Sequence, residues 1–276
     1  KGASAPFVVF QMIRKPISFR TSLILSFLGI SILVMGYWKI SYDQHLVNPK
    51  DTTLPTFVQI YDGFIKTTTP DGSGKIWLIE DSKATMSRHA LGLSLGILLS
   101  LFVGLGAGCF PAVESFTMPV LAFFSKIPPT AMIVVYFVLF GTNFQMFVAV
   151  VALGTAPILA QTICQFVQKD VSDHDIDKGY TLGASTGEII WNIIFKKILP
   201  RIIESVRLQA GPALILLIAA EMMVADVGFG YRLRIQSRLL NMNVVFVYLI
   251  FLGIFYHAVD WSLRSTRQKI CKWFGD

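Results

Sequence analysis

Apolar residues run along this chain in long unbroken blocks, not in the alternation of a half-buried strand. No Asp, Glu, Lys or Arg falls between Arg88 and Glu114, between Lys126 and Lys169, or between Arg238 and Asp260, gaps of 25, 42 and 21 residues. A helix needs about 20 apolar residues to cross the hydrocarbon core of a bilayer. The 42-residue gap therefore predicts two spans, with Gly141-Thr142-Asn143 as the tight turn between them. Ser22 to Ile40 predicts another, and its one charge, Lys39, stands at the end where it can snorkel. The pattern predicts six spans, over about 21–41, 86–109, 118–140, 144–167, 203–225 and 243–264. The fold class is all-α integral membrane.

Composition sharpens what is excluded. Of 276 residues, 54% are apolar and 15% charged, and the mean hydropathy is +0.61. Soluble domains carry about 25% charged residues, so disorder, a secreted disulfide scaffold and a lone cytosolic enzyme are set aside. The net charge of +7 gathers at the two ends. Lys1, Arg14, Lys15 and Arg20 precede the first span; Arg264, Arg267, Lys269 and Lys272 follow the last, opposed by Asp276. Both termini read as cytoplasmic by the positive-inside rule, in keeping with an even number of spans. Topology accounts for the basic balance, so the bilayer is the expected partner and nucleic acid is not. Cys109, Cys164 and Cys271 have no paired spacing and read as reduced and structural. No small-residue cleavage site follows the first apolar run, so it is not read as a signal peptide.

Residues 1–85 are expected to form a cytoplasmic tail, the first span and an outward loop, and residues 86–276 the core. Within the loop, Phe57 to Ile65 predicts a short amphipathic helix and residues 70–74, Pro-Asp-Gly-Ser-Gly, a turn. In the second span, Gly92/Gly96 and Gly104/Gly108 have the spacing that lets helix backbones approach closely in lipid, here expected within the fold.

The segment Gln168 to Arg207 is the most polar on the inward side, with six basic and six acidic residues. Its apolar residues keep helical spacing, Ile189, Ile190, Ile193, Ile194 and Ile198, and predict two short helices with a break near Gly183. Leu182-Gly183-Ala184-Ser185 and Leu199-Pro200 stand in this segment. Around it lie Ile127-Pro128-Pro129-Thr130-Ala131, Phe140-Gly141, Ala219-Ala220-Glu221 and Gly228-Phe229-Gly230. In order and spacing, from about residue 86 to the end, these resemble the permeases of binding-protein-dependent ABC importers, in the nitrate/sulfonate/taurine branch. Asp177-Lys178-Gly179 stands in place of the family's Glu-Ala-Ala, Lys196 in place of its first motif proline and Val134 in place of another.

The resemblance implies a MetI-like helical bundle in a bacterial inner membrane. It implies a dimer with a second, identical permease chain, cytoplasmic ATP-binding cassette ATPases and a periplasmic solute-binding protein. ATP and Mg would sit on the partner ATPase, with no cofactor in this chain and no catalysis by it. The segment 168–207 would then be the coupling element, through Asp177, Lys178, Gly179, Gly183, Ala184, Ser185 and Pro200. In that reading Gly179 and Gly183 supply the bend, Ala184 leaves room for close approach, and Pro200 stops the second short helix before the next span. The cargo would be a small polar solute such as nitrate, a sulfonate or taurine. The run from Tyr231 through Arg232, Arg238 and Met242 is similar to permeases of urea- or amidine-using pathways, an alternative cargo.

Other residues invite other chemistry. An ionised residue at a helix centre costs about 2.5–3.5 kcal/mol on insertion scales, and Glu221 follows a 13-residue charge-free run. It reads either as a gate or pathway position, with Gly228 and Gly230, or as a buried structural pair. Arg232, Arg234 and Arg238 fall in an outward connection, where they would meet acids of a binding protein or attract an anionic cargo. Gly183-x-Ser185-x-Gly187 lacks the strand a hydrolase nucleophile requires. Gly72-Ser73-Gly74-Lys75 lacks the first glycine and the hydroxyl residue of a phosphate loop. Asp173, Asp175 and Asp177 lack the glycine and glutamate of a calcium loop, and the four histidines are scattered. An ion-coupled secondary transporter is the alternative function; it would place ionisable residues near the midplane, and residues 127–168 contain none.

Overall fold

The computed structural model describes residues 17–49, 51–72 and 74–273. Of the residues singled out above, Lys1, Arg14, Lys15, Ser73 and Asp276 lie outside them. Every regular element among the described residues is helical. The chain divides after Val58 into two compact units. Residue 85, the expected boundary, lies inside an unbroken helix.

The first unit is built on α1 (Phe19–Val47), opened by the Ser18 hydroxyl accepting from the Thr21 N–H. Ser41 is its one buried residue, and apolar side chains such as Phe27 and Leu33 stand fully open, as expected where lipid is the solvent. Tyr37 Oη donates to the Pro55 carbonyl at 2.6 Å and Ser41 Oγ to that of Leu54 at 3.0 Å, folding the following loop back along the helix.

The second unit holds most of α2 (Phe57–Thr68), the expected amphipathic helix extended by one turn. Gly63 lets it lie against the start of α11 (Met242–Ile270): a Cβ there would come 2.6 Å from the Asn243 carbonyl oxygen. The centre of the unit is the pairing of α3 (Trp77–Cys109) with α6 (Phe144–Asp170). Gly92, Gly96, Ser100, Gly104 and Gly108 recur every fourth residue, one narrow face of a helix. A Cβ at Gly92, Gly104 or Gly108 would fall 2.6–2.8 Å from side chains of Val151, Ile163 or Val167, and one at Gly96 2.4 Å from Thr155 Oγ1. The small-residue face is therefore filled within the chain, as expected.

The third expected span, 118–140, is not a straight helix. α4 (Pro111–Phe124) and α5 (Pro129–Phe140) meet at 100° across a break of four residues. Pro128 and Pro129 explain it: each bars the residue before it from helical backbone, and Pro129 then opens α5 at its first position. The turn at Gly141-Thr142-Asn143 is where expected, with Gly141 at φ +68°. Among the described residues five helices are long and apolar enough to cross a membrane, six if the bent pair counts as one.

After α6 come α7 (Asp173–Thr181), the single turn α8 (Thr186–Ile189), a π-helical turn (Ile190–Phe195) and α9 (Lys196–Val224). Pro200 does not end a short helix as expected. It lies buried inside α9, and Thr186 to Val224 is one unbroken 39-residue helical rod. A proline forfeits one backbone bond, and neighbouring helices within a membrane bundle tolerate that loss. α10 (Phe229–Arg238) and α11 complete the unit. Apolar packing forms three regions: Phe147, Val150 and Leu217 at the centre; Ile163, Val167, Ile189 and Ile198 under the α7–α8 hairpin; Phe229, Val244 and Tyr248 at the far end.

Candidate functional site

The residues singled out from the sequence gather at two places joined by α9, whose 29 residues span about 43 Å. At one end stands the α7–α8 hairpin. Ser172 caps α7, and its last turn closes with the Ala184 N–H donating to the Gly179 carbonyl and the Gly183 N–H to that of Tyr180. This paired closure requires left-handed backbone at the residue after the cap, and Gly183, at φ +82°, supplies it. Ser185 then caps the next helix: its hydroxyl accepts from the Glu188 N–H while the Glu188 carboxylate accepts from the Ser185 N–H. Gly179 has a different part from the expected one. It is helical and buried, and a Cβ there would meet Ile189 and Ile193 at 2.9–3.0 Å, so it permits the crossing and Gly183 makes the turn.

Ala184 is half-buried against the apolar packing under the hairpin. Asp177, Lys178, Gly183 and Ser185 are exposed. The sequence reading passed over Leu182, which projects from the tip 87% exposed beside the half-exposed Tyr180. Lys197 of α9 pairs with Asp175, tying the hairpin to the rod, and Arg201 pairs with Asp170 at the end of α6 at 2.8 Å. The Lys197 hydrogen bond holds the Asp175 carboxyl below the ordinary carboxylate range. The hairpin is thus stiffened at both caps and cross-braced at its base, with an apolar tip facing outward.

At the other end of α9 is a buried polar cluster. Glu221, fully enclosed, pairs with Arg88 Nη1 at 2.8 Å and accepts from Thr85 Oγ1 and, at 3.0 Å, from the Gly230 N–H. Asp81, also fully enclosed, accepts from Arg232 Nε at 2.8 Å, Tyr248 Oη at 2.6 Å and the Gly228 N–H at 2.9 Å. The Phe229 N–H donates to Thr85 Oγ1, and Arg88 also donates to the Val227 carbonyl. The first N–H groups of α10, which no intrahelical carbonyl can satisfy, are therefore met by the side chains of Asp81, Thr85 and Glu221. The glycines make this possible. A Cβ at Gly228 would sit 2.6 Å from Glu221 Oε1, and one at Gly230 would sit 2.4 Å from the Ile218 carbonyl oxygen. The Arg88 guanidinium further stacks over Phe147 at 4.1 Å, so α3, α6, α9, α10 and α11 all meet here.

Two acids balance two arginines; Asp81, Arg88 and Glu221 are buried and Arg232 is partly so, and the geometry gives Glu221 a buried ion-pair partner in Arg88. The three arginines part company. Arg232 is bound to Asp81 and lies over Trp77 at 4.3 Å. Arg234 donates to the carbonyls of Met223 and Ala225. Arg238, at the end of α10, is exposed. Sequence reasoning missed Asp81, Thr85, Arg88 and Tyr248. The first three carried a signal, an acid, a hydroxyl and a base at helical spacing just ahead of an apolar run, but nothing local says that Thr85 and Arg88 turn toward Glu221, 133–136 residues away, or Asp81 toward Arg232 and Tyr248.

A capped helical hairpin and a buried charge cluster stand at the two ends of one continuous helix in a bundle of long apolar helices. The chain belongs to the family of binding-protein-dependent transport system inner membrane components, whose pattern matches residues 96–270. It is a multi-pass inner membrane protein and the permease of an ABC importer, a transport component and not an enzyme. Among its relatives, the taurine transport system permease protein TauC of Escherichia coli is 24% identical over 247 residues, covering 90% of this chain and 88% of TauC. The putative aliphatic sulfonates transport permease protein SsuC of Bacillus subtilis is 27% identical over 187 residues, 67% of each chain. The fold is similar to that of the MetNI methionine ABC transporter in an inward-facing form, with a TM-score of 0.60 at 16% identity, over 72% of this chain and 98% of that one.

Proposed function

We propose that this permease works as a pair of identical chains, takes a small sulfonate such as taurine from a periplasmic binding protein, and is driven by cytoplasmic ATPases docked on the α7–α8 hairpin. ATP and Mg belong to those partners. The observation that carries the reading is the exposed tip at Leu182 and Tyr180, held by two caps and standing on the continuous helix Thr186 to Val224. Force on the tip passes along this rod with no loop to absorb it. Asp177, Lys178 and Ser185 form a polar rim to the apolar tip, the arrangement of a docking element. The sulfonate class rests on the taurine and sulfonate permeases among its relatives.

Glu221, Gly228 and Gly230 act in this scheme by holding the far ends of α3, α9 and α10 as one block, and Arg238 meets the binding protein. The test is uptake of labelled taurine by cells making the complete transporter. Leu182→Asp and Gly183→Arg should abolish uptake while ATP hydrolysis by the assembled complex continues unstimulated. Normal uptake by both variants overturns the lever, and competition by urea but not by alkanesulfonates overturns the cargo.

A further inference from the structure

Charges along the crossing helices are matched within the chain: Arg88 pairs with Glu221, Arg232 with Asp81, and Arg207 with Glu204 and Asp260. Lys126 is different. It stands in the break between α4 and α5, inside the span expected over 118–140, and it is exposed. Among the described residues its ammonium has neither an ion-pair nor a hydrogen-bond partner.

The packing of the break fixes its depth. α5 runs back from the Gly141 turn beside α6, and a Cβ at Gly154 would lie 3.9 Å from Pro129 Cβ. Ser125 and Ile127, on either side of Lys126, line one apolar cavity of about 370 Å3 with Leu153, Gly154 and Pro157 of α6. Phe144 to Gln168 of α6 is free of charge. Gly154 stands about 15 Å along that run from Phe144 and about 21 Å short of Gln168, and the hydrocarbon core is about 30 Å thick. The break therefore lies near the middle of the bilayer. A lysine stem reaches about 6 Å, too short to bring the ammonium to either surface.

Lipid cannot be what Lys126 faces at this depth. A charge there turns to a water-filled path or to an opposite charge, and the chain offers it no acid. The backbone says the same. Pro129 has no N–H to return to the Ser125 carbonyl, and irregular backbone at membrane depth is tolerated only against protein or beside water. Lys126 does not line the apolar cavity that its two neighbours line, so its side chain leaves the break on another side.

We propose that Lys126 lines the aqueous path through the permease at mid-depth and offers its ammonium to the anionic group of the passing solute. The placement stands on the geometry alone; the identity of the anion rests on the sulfonate reading above. A sulfonate presents acceptor oxygens only, and an ammonium on a flexible stem meets them without a fixed angular fit. One cation beside an apolar wall also holds an anion loosely enough to release it, as a path requires.

Inner-membrane vesicles carrying the complete transporter provide the test. Lys126→Cys, treated with the membrane-impermeant thiol reagent 2-sulfonatoethyl methanethiosulfonate with and without ATP, should label above the parent chain with its three native cysteines. Leu33→Cys, exposed at the middle of α1, should not, because a thiol reacts as its thiolate and lipid does not support one. No labelling of Lys126→Cys in either condition, or equal labelling of Leu33→Cys, overturns the placement. Lys126→Gln should cut taurine uptake about tenfold or more while the loaded binding protein still stimulates ATP hydrolysis, and Lys126→Arg should keep most of the uptake. Full uptake by Lys126→Gln, or an equal loss in Lys126→Arg, overturns the contact with the anion. A parent transporter that takes up no taurine refutes the cargo and the sulfonate contact with it, while the labelling still decides the path.

Discussion

Glu221 shows how a carboxylate is kept inside a membrane protein: every approach to it is a donor, from Arg88, Thr85 and the Gly230 backbone. Removing one member of such a pair leaves the other buried and unmatched, at a cost of about 3–5 kcal/mol. Glu221→Gln should therefore lower the melting temperature in detergent sharply, and Arg88→Met added to it should recover most of the loss. If the double variant melts as low as the single one, the pair is not the source of the stability. A second residue departs from its local preference. Leu240 occupies left-handed backbone at φ +57°, in the same paired closure after α10 that Gly183 serves after α7. A leucine there is strained, so Leu240→Gly should stabilise the chain by about 0.5–1 kcal/mol, read as a raised melting point.

At the scale of elements, α3 and α6 owe their close approach to the absence of side chains on one face of α3. In lipid there is no hydrophobic effect to hold two helices together, so packing and close backbone contact must do it. Gly104→Ala would place a Cβ 2.7 Å from the Ala160 carbonyl oxygen and 2.8 Å from Ile163 Cβ. It should destabilise the chain by about 1–3 kcal/mol. Gly253→Ala, in α11 with nothing within 4 Å, should instead be neutral or stabilising because a helical glycine loses more entropy on folding. Thermal melts of the two variants in the same detergent would separate packing from helix propensity. The elbow between α4 and α5 has a different origin. It is written in two adjacent prolines, and composition alone reads it as a straight span because hydropathy does not register backbone geometry.

For the whole molecule, the two ends of α9 divide the work. The hairpin end offers exposed apolar and basic surface, and the cluster end is closed. Charge at the cluster end therefore acts in two ways. Arg238→Glu, exposed, should slow binding-protein association by up to about tenfold at low salt and little at high salt, measured by stopped-flow with the purified complex. Arg232→Glu would set two carboxylates against each other at Asp81 and should lower expression and melting temperature before any effect on association is reached. Salt-independent association in Arg238→Glu would remove the arginine from the docking face.

Much of this protein is legible without coordinates because lipid imposes a plain rule: backbone must be helical and the crossing stretch must be apolar. Charge-free gaps thus located the long helices, Gly141 the turn, and the four-residue glycine spacing a close packing within the chain, whose partner α6 the fold supplied. The polar segment after Lys169 disclosed the hairpin, and Gly183 its bend, since left-handed backbone selects glycine locally. Tertiary structure alone decided what long-range partners decide. Pro200 runs on buried inside a helix, Arg232 and Arg234 are spent within the chain, and Gly228 and Gly230 are small because Glu221 fills the space beside them. Charges on distant helices carry no mark of whom they face, and only the folded chain brings Asp81 and Arg88 to the end of α9.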